Sequence, residues 1–154
     1  MSSDNPASIA AHNMAREAVE AAIPHRAPML LVDEIIEQSK NEIHCRKTFG
    51  TDEFFTRGHF PNYPLVPGVI LCECALQSGA ILLAQHAAVQ GAVPVATRLD
   101  GVKFKKMVRP GDTIDVVATL NEVVSTAYFL TAKITVAGKL AARLDFACTL
   151  ATPE

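Results

Sequence analysis

Two side chains that can transfer protons, His59 and Glu73, lie on either side of the segment PNYPLVPG. His59 sits in a loop made almost wholly of glycine, proline and apolar residues, and Glu73 is the lone carboxylate of the run VILCECALQ. With an ordinary pKa of ~6.5, a histidine side chain can act as a base near neutral pH. A carboxyl group in apolar surroundings favours its protonated form and can act as an acid.

A backbone hydrogen-bond donor is expected close to these residues, where Pro67 and Gly68 begin a helix. The first N–H groups of a helix lack intrahelical partners and carry the positive end of its dipole. Gly68 has no side chain that would keep a ligand oxygen away from them. A base, an acid and such a donor suit removal of a proton next to a carbonyl together with protonation of a β leaving group. In the structural alternative, a backbone carbonyl holds His59 and Glu73 faces solvent.

The first half of the chain predicts the elements that position these groups. Residues 7–22 favour a helix, which ends before Pro24. Residues 29–37 and 41–49 are predicted to form two strands of a hairpin. Residues 68–85 predict a helix that is apolar on nearly every side, so the rest of the protein must wrap around it.

The second half of the chain alternates between apolar and polar residues, which is typical of half-buried antiparallel strands. Residues 128–136 and 140–150 follow this period of two, and Ala137-Gly138 predicts the turn between them. The segment RPGD (109–112) places proline and glycine where a type II turn requires them. The sequence therefore predicts one α+β domain over residues 1–154, an antiparallel sheet around a long central helix, with residues 1–22 as an N-terminal helix or arm.

The composition of the chain limits the classes of function that it can have. The 154 residues are 49% hydrophobic and 19% charged with a net charge of −2, which indicates a globular protein without a basic surface for nucleic acid.

Four cysteines, at 45, 72, 74 and 148, have neither metal-ligand nor disulfide spacing and are predicted to be buried thiols in a reducing compartment, the cytoplasm. No signal peptide is predicted. Polar residues, Gly91 and Pro94 interrupt the uncharged run 74–97, which favours a buried helix, a turn and a strand over a membrane span.

The segment GHFPNYPLVPGVILCECALQSGAILLA (58–84) resembles the β-hydroxyacyl-[acyl-carrier-protein] dehydratases of the FabZ type, which have the hotdog fold. Three further segments support the resemblance, so that it covers nearly the whole chain: IPHRAPMLLVDEI, LDGVKFKKMVRPGD and KLAARLDFACTLA. It implies dehydration of (3R)-3-hydroxyacyl-[acyl-carrier-protein] to the trans-2-enoyl product in fatty acid biosynthesis. An acyl thioesterase of the same fold and a non-catalytic acyl-binding protein are the alternatives.

The resemblance also assigns roles to residues. It implies that His59 is the catalytic histidine, that Glu73 is the catalytic acid contributed by the other subunit of a dimer, and that the Gly68 amide binds the thioester oxygen. Gln77, one helical turn after Glu73, is expected to orient the acid. A glutamate at position 73 favours the plain dehydratase over the dual dehydratase-isomerase, which has aspartate there. The expected substrate-binding residues are Gly68, Val69, Gln77, Phe60 and Val95.

This sequence departs from the family pattern at four positions. Ala27 and Met29 stand where aromatic residues are usual, and Asn62 replaces a glycine. Val95 stands where many members have a tyrosine that gates the acyl tunnel. His25, in the PHR motif, is interpreted as structural.

The resemblance implies an acidic carrier protein as partner, and the segment 98–109 contains basic residues that would attract it. These predicted docking residues are Arg98, Lys103, Lys105, Lys106 and Arg109. Strand alternation predicts Lys103 and Lys105 on one face and Phe104 and Lys106 on the other, and a solvated strand face is the alternative. The expected assembly is a homodimer, or three such dimers together. No metal or redox cofactor is expected, and the phosphopantetheine belongs to the carrier.

Overall fold

Six strands form one antiparallel sheet, and a long buried helix packs against it. The computed structural model describes residues 5–86, 91–152 and 154. In chain order the elements are α1 (Pro6–Ala22), β1 (Glu34–Gln38), β2 (Glu42–Thr48), α2 (Gly68–Ala84), β3 (Val93–Phe104), β4 (Thr113–Val124), β5 (Ala127–Val136) and β6 (Lys139–Ala151). The strands lie in the order β1-β2-β4-β5-β6-β3.

The helix α2 is the centre of the hydrophobic core, as its uniformly apolar sequence predicts. It packs against β2, β4 and β5, and most of its residues from Ile70 to Leu83 are buried. No helix in the described part of the chain is long and apolar enough to span a membrane. The turn predicted after α2 falls partly on residues 87–90, which lie outside the described residues.

The period-two pattern correctly identifies the inner face of the sheet. All five residues predicted on one face of β5 are buried: Tyr128, Leu130, Ala132, Ile134 and Val136. The β6 prediction fails only at its start, where Leu140 is 38% exposed. The register shifts there, because Ile134 pairs with Ala142 and Thr135 pairs with Leu140, which leaves one extra residue on β6.

Both predicted turns are confirmed by their backbone geometry. Ala137 and Gly138, between β5 and β6, have φ of 48° and 77°, as a tight hairpin turn requires. Gly111 has φ of 95°, and the N–H of Asp112 donates to the carbonyl of Arg109 at 3.0 Å. That combination is the type II turn predicted for RPGD.

The first strand begins later than predicted, at Glu34 instead of residue 29. The backbone of residues 29–31 bonds to a helix side chain instead of a neighbouring strand. The N–H of Leu31 donates to Oε1 of Gln77 at 2.8 Å, and Nε2 of Gln77 donates to the carbonyl of Met29 at 2.7 Å. A buried polar side chain on α2 has therefore replaced strand pairing in this segment.

The four cysteines are free and buried, as predicted. Burial raises the pKa of Cys45 and of Cys148 to about 11, and it also raises the pKa of Cys72 and Cys74. These side chains are therefore neutral thiols at physiological pH.

The strand β3 is an unusually long free edge. It has 12 residues and pairs with β6 on one side alone within the described chain. Several of its apolar side chains face solvent: Val95 is 44% exposed, Leu99 45% and Phe104 53%. A long edge with exposed apolar residues is a surface that proteins normally cover.

Candidate active site

The loop before α2 holds His59 so that one ring nitrogen is free. Nδ1 of His59 lies 3.0 Å from the carbonyl oxygen of Leu65, and the N–H of Leu65 donates back to the carbonyl of His59 at 2.8 Å. A carbonyl can only accept, so Nδ1 carries the proton and Nε2 keeps its lone pair. The loop thus fixes the tautomer in which Nε2 can take a proton.

Aromatic residues of the same loop fix the plane of the histidine and the position of the loop. The ring of Phe60 stacks on that of His59, with centroids 4.3 Å apart and an interplanar angle of 23°. Nη2 of Arg109 donates to the hydroxyl of Tyr63, and the Arg109 guanidinium lies 5.0 Å from the centroid of that ring. The RPGD turn is therefore tied to the histidine loop.

The helix α2 directs Glu73 into a groove of about 410 Å³ between the helix and β3. Apolar side chains form most of its wall, including Leu76, Ala80, Val95 and Cys148. The side chain of Glu73 is 26% exposed, so it faces the groove and not the bulk solvent. Such a groove suits an apolar chain with a reacting carbon near the carboxyl group.

Gln77 determines which oxygen of Glu73 accepts a hydrogen bond. Its amide oxygen is occupied by the N–H of Leu31, and one of its N–H groups donates to the carbonyl of Met29. The remaining N–H donates to Oε1 of Glu73 at 3.0 Å. Because Oε1 must accept this bond, a proton on the Glu73 carboxyl belongs on Oε2. Gln77 is 1% exposed, so this arrangement is rigid.

His25 lies beside the same carboxyl group, which sequence reasoning did not anticipate. Its Nε2 is 3.7 Å from Oε1 of Glu73, and both residues line the groove. Nothing in the local pattern around residue 25 indicates a neighbour on α2. The PHR motif drew attention to His25, but it did not indicate which side chain His25 lies next to.

The N-terminus of α2 presents unbonded backbone donors, as predicted. No acceptor for the N–H of Gly68 or Val69 occurs among residues 5–86, 91–152 and 154. Gly68 packs against the ring of Phe104 so closely that a Cβ there would lie 2.7 Å from it. A second cavity, of about 380 Å³, opens at this point, with Lys105 and Lys106 in its wall. Val69 is 74% exposed at the same end of the helix.

The five predicted docking residues are exposed, but they divide into two groups. Lys105 and Lys106 line the cavity at Gly68, and Arg109 contacts the histidine loop. Arg98 and Lys103 lie along the β3 edge, where Arg98 forms an ion pair with Asp100.

The alternation predicted for Lys105 and Lys106 is wrong, because β3 ends at Phe104. The N–H groups of both lysines donate to the carbonyl of Ala141, at 2.7 and 3.2 Å. Strand alternation therefore does not apply to these two residues, and both line the cavity at Gly68.

His59 and Glu73 are not brought together within one chain. No hydrogen bond joins them in the described residues, and His59 is not among the residues that line the groove of Glu73. His59 lies in the loop before α2, whereas Glu73 faces the groove along β3, the free edge of the sheet.

Solved structures identify the class of fold. The chain aligns with the dehydratase heterocomplex ApeI:P from Xenorhabdus doucetiae, with a TM-score of 0.71 and 19% identity over 88% of this chain and 91% of that one. It also aligns with the E. coli PaaI protein from the phenylacetic acid degradation operon, with a TM-score of 0.66 and 15% identity over 92% and 96% of the two chains. This is the hotdog fold, and the predicted fold class is confirmed.

Sequence comparisons identify the family. The family model for ApeI-like proteins, described as ApeI dehydratase, matches residues 35–142. The chain is 41% identical over 132 residues to the 3-hydroxyacyl-[acyl-carrier-protein] dehydratase FabZ of Streptococcus pyogenes serotype M5 (strain Manfredo), a match that covers 84% of this chain and 95% of that protein. The chain belongs to the hotdog dehydratase family that includes these ApeI-like and FabZ-type proteins.

Proposed function

We propose that this protein dehydrates (3R)-3-hydroxyacyl-[acyl-carrier-protein] to the trans-2-enoyl product in fatty acid biosynthesis. The observation that supports this proposal most directly is how hydrogen bonds hold the side chains of His59 and Glu73. Each side chain is held by one hydrogen bond that leaves another atom free for proton transfer: Nε2 of His59 and Oε2 of Glu73. The 41% identity to a FabZ dehydratase over most of the chain supports the same reaction.

In this reaction Nε2 of His59 takes the proton from the carbon next to the thioester. The N–H of Gly68 stabilises the negative charge that develops on the thioester oxygen. The bond between the β-carbon and its hydroxyl breaks as Oε2 of Glu73 donates a proton, so that the hydroxyl leaves as water and the double bond forms. His59 gains one proton and Glu73 loses one, so the number of protons on the enzyme is unchanged. Loss of a proton by His59 and uptake of one by Glu73 restore the starting state.

The proposed chemistry needs no metal or redox cofactor, because both proton transfers are made by side chains. The phosphopantetheine arm belongs to the carrier. We also propose a cytoplasmic location, which the four free, buried thiols favour.

A dimer would unite the two catalytic groups. We propose that β3 of one subunit pairs along its free edge with β3 of a second, since this would cover the exposed Val95 and Leu99. The groove of Glu73 borders the same strand, so the partner's loop would bring its His59 to that groove. Three such dimers assembled together are compatible with this contact.

The groove beside Glu73 is the proposed site of the acyl chain. Val95 lies in its wall and is 44% exposed, where many family members have a gating tyrosine. A valine there would leave the groove more open than a tyrosine. Phe60 and Val69 are each at least half exposed, at 50% and 74%, and would contact substrate near His59 and Gly68.

The direct test is turnover of hydroxyacyl carrier substrates of graded chain length, with the enoyl product measured by its absorbance. We expect enoyl formation without release of free carrier thiol. Release of free thiol with no enoyl product would identify a thioesterase, and binding of the acyl carrier without turnover would identify an acyl-binding protein. Either result would overturn the proposal.

The carrier protein is expected to dock on the basic residues beside the Gly68 cavity. Lys105→Glu combined with Lys106→Glu should raise KM for a carrier-linked substrate about tenfold at low salt, because like charges slow the association. Turnover of a small N-acetylcysteamine thioester should be nearly unchanged, since His59 and Glu73 remain in place. Steady-state kinetics at low and high ionic strength provide the measurement.

A matched control has the same change in net charge elsewhere. Lys40→Glu combined with Lys133→Glu alters two exposed residues away from the Gly68 cavity and should leave both KM values nearly unchanged. Equal losses on carrier-linked and small substrates, or a wild-type KM that is insensitive to salt, would mean that the basic residues are only a solvated surface.

A further inference from the structure

His25 lacks the hydrogen bonds that a structural histidine normally makes. Its Nδ1 is buried and has no partner among the described residues. Its Nε2 lies 3.7 Å from Oε1 of Glu73, and the side chain is 27% exposed. Buried polar atoms are hydrogen-bonded in the great majority of cases, so packing alone does not explain a histidine here. The other ring nitrogen, Nε2, faces the carboxyl group of Glu73.

The backbone of His25 is held firmly, although its ring nitrogens are not. Nη1 of Arg26 donates to the carbonyls of Ile23 and His25, at 2.9 and 2.7 Å, and Nη2 donates to the carbonyl of Glu20 at 3.1 Å. Pro24 restricts the backbone on the other side. The guanidinium thus fastens the end of α1 to the segment that carries His25. The ring is placed at the groove, and its Nε2 is left available.

We propose that His25 is a positioning residue for Glu73. Its Nε2–H donates to Oε1 of Glu73, the oxygen that also accepts from Gln77. A carboxylate oxygen accepts, so the proton of the neutral imidazole lies on Nε2 and the lone pair on Nδ1. The separation of 3.7 Å is longer than a hydrogen bond, and we expect it to shorten when substrate binds. This inference rests on the proposed dehydration.

Two donors on Oε1 would have two consequences for the reaction. They keep the carboxyl proton on Oε2, because Oε1 faces Gln77 and Oε2 is the oxygen left to face the substrate. They also stabilise the carboxylate that remains after the proton has left, because hydrogen bonds to a charged oxygen are stronger than those to a neutral one. His25 therefore acts on the proton-transfer step, through Glu73.

The expected result is a loss of kcat without a matching change in KM. His25→Leu removes the donor and retains a side chain of moderate size, and it should lower kcat about tenfold, as for loss of one hydrogen bond to a charged group. His25→Gln retains an N–H donor and should restore most of the activity. His12→Leu, an exposed histidine on α1, is the control and should behave as wild type.

A double-mutant cycle distinguishes positioning from a structural role. If His25 acts through Glu73, His25→Leu should cause no further loss in a Glu73→Gln background, measured by single-turnover kinetics at high enzyme concentration. A full additional tenfold loss there, or unchanged kcat in His25→Leu, would overturn the role of His25 while the dehydratase function stands. Absence of dehydration by the wild-type protein would overturn both.

Discussion

His59→Ala and Glu73→Gln should each reduce the kcat for dehydration by about 10²–10⁴-fold, because each removes one of the two proton transfers. Alanine eliminates the nitrogen that accepts the α-proton. Glutamine retains the shape of the acid and an oxygen that can accept from Gln77, but its amide is far too weak an acid to protonate the departing hydroxyl. Steady-state kinetics on a hydroxyacyl carrier substrate, followed by enoyl absorbance, measure both losses.

The fold should survive both substitutions. His59 is partly exposed in a loop, and Glu73 faces a groove, so neither change creates a cavity in the core. Thermal unfolding should therefore remain close to wild type. His12→Ala and Glu37→Gln, at exposed positions, provide matched controls for each type of substitution. Near-normal turnover in both active-site variants would eliminate His59 and Glu73 as the acid–base pair.

A mixed dimer of His59→Ala and Glu73→Gln chains should recover activity that neither variant has alone. If each site takes His59 from one subunit and Glu73 from the other, the mixed dimer has one intact site and one site that lacks both groups. Its turnover should be about half that of the wild-type dimer, because a two-fold dimer has two equivalent sites. Two affinity tags on co-expressed chains allow the mixed species to be purified before the assay.

The same experiment has clear contrary outcomes. An inactive mixed dimer would mean that both catalytic groups of a site come from one chain, in which case substrate binding must close the gap between the histidine loop and the groove. Light scattering that finds a stable and active monomer would defeat the subunit-sharing arrangement outright. A substitution on the β3 edge, Leu99→Lys, should weaken the dimer and lower activity together, since Leu99 is 45% exposed on the proposed contact.

The local features of this protein could be predicted from its sequence, because they depend on periodicity and turn chemistry. The alternation of 128–136 predicted the buried face of β5, and the uniformly apolar run 68–85 predicted the central helix, Gly68–Ala84. Proline and glycine at 110 and 111 predicted a type II turn that the backbone has. The motif around His59 and Glu73 identified the family, which the relatives confirm.

Tertiary packing decided the features that depend on residues far apart in the chain. The sequence pattern of 29–37 favours a strand, yet Gln77 on α2 takes the backbone groups of Met29 and Leu31, so β1 begins at Glu34. The contact of His25 with Glu73 has the same origin, because the packing of α1 and the following segment against α2 brings together residues that no local period relates. The side-chain pattern of a strand or helix reports which face is buried, but only the packed fold determines which partner covers it.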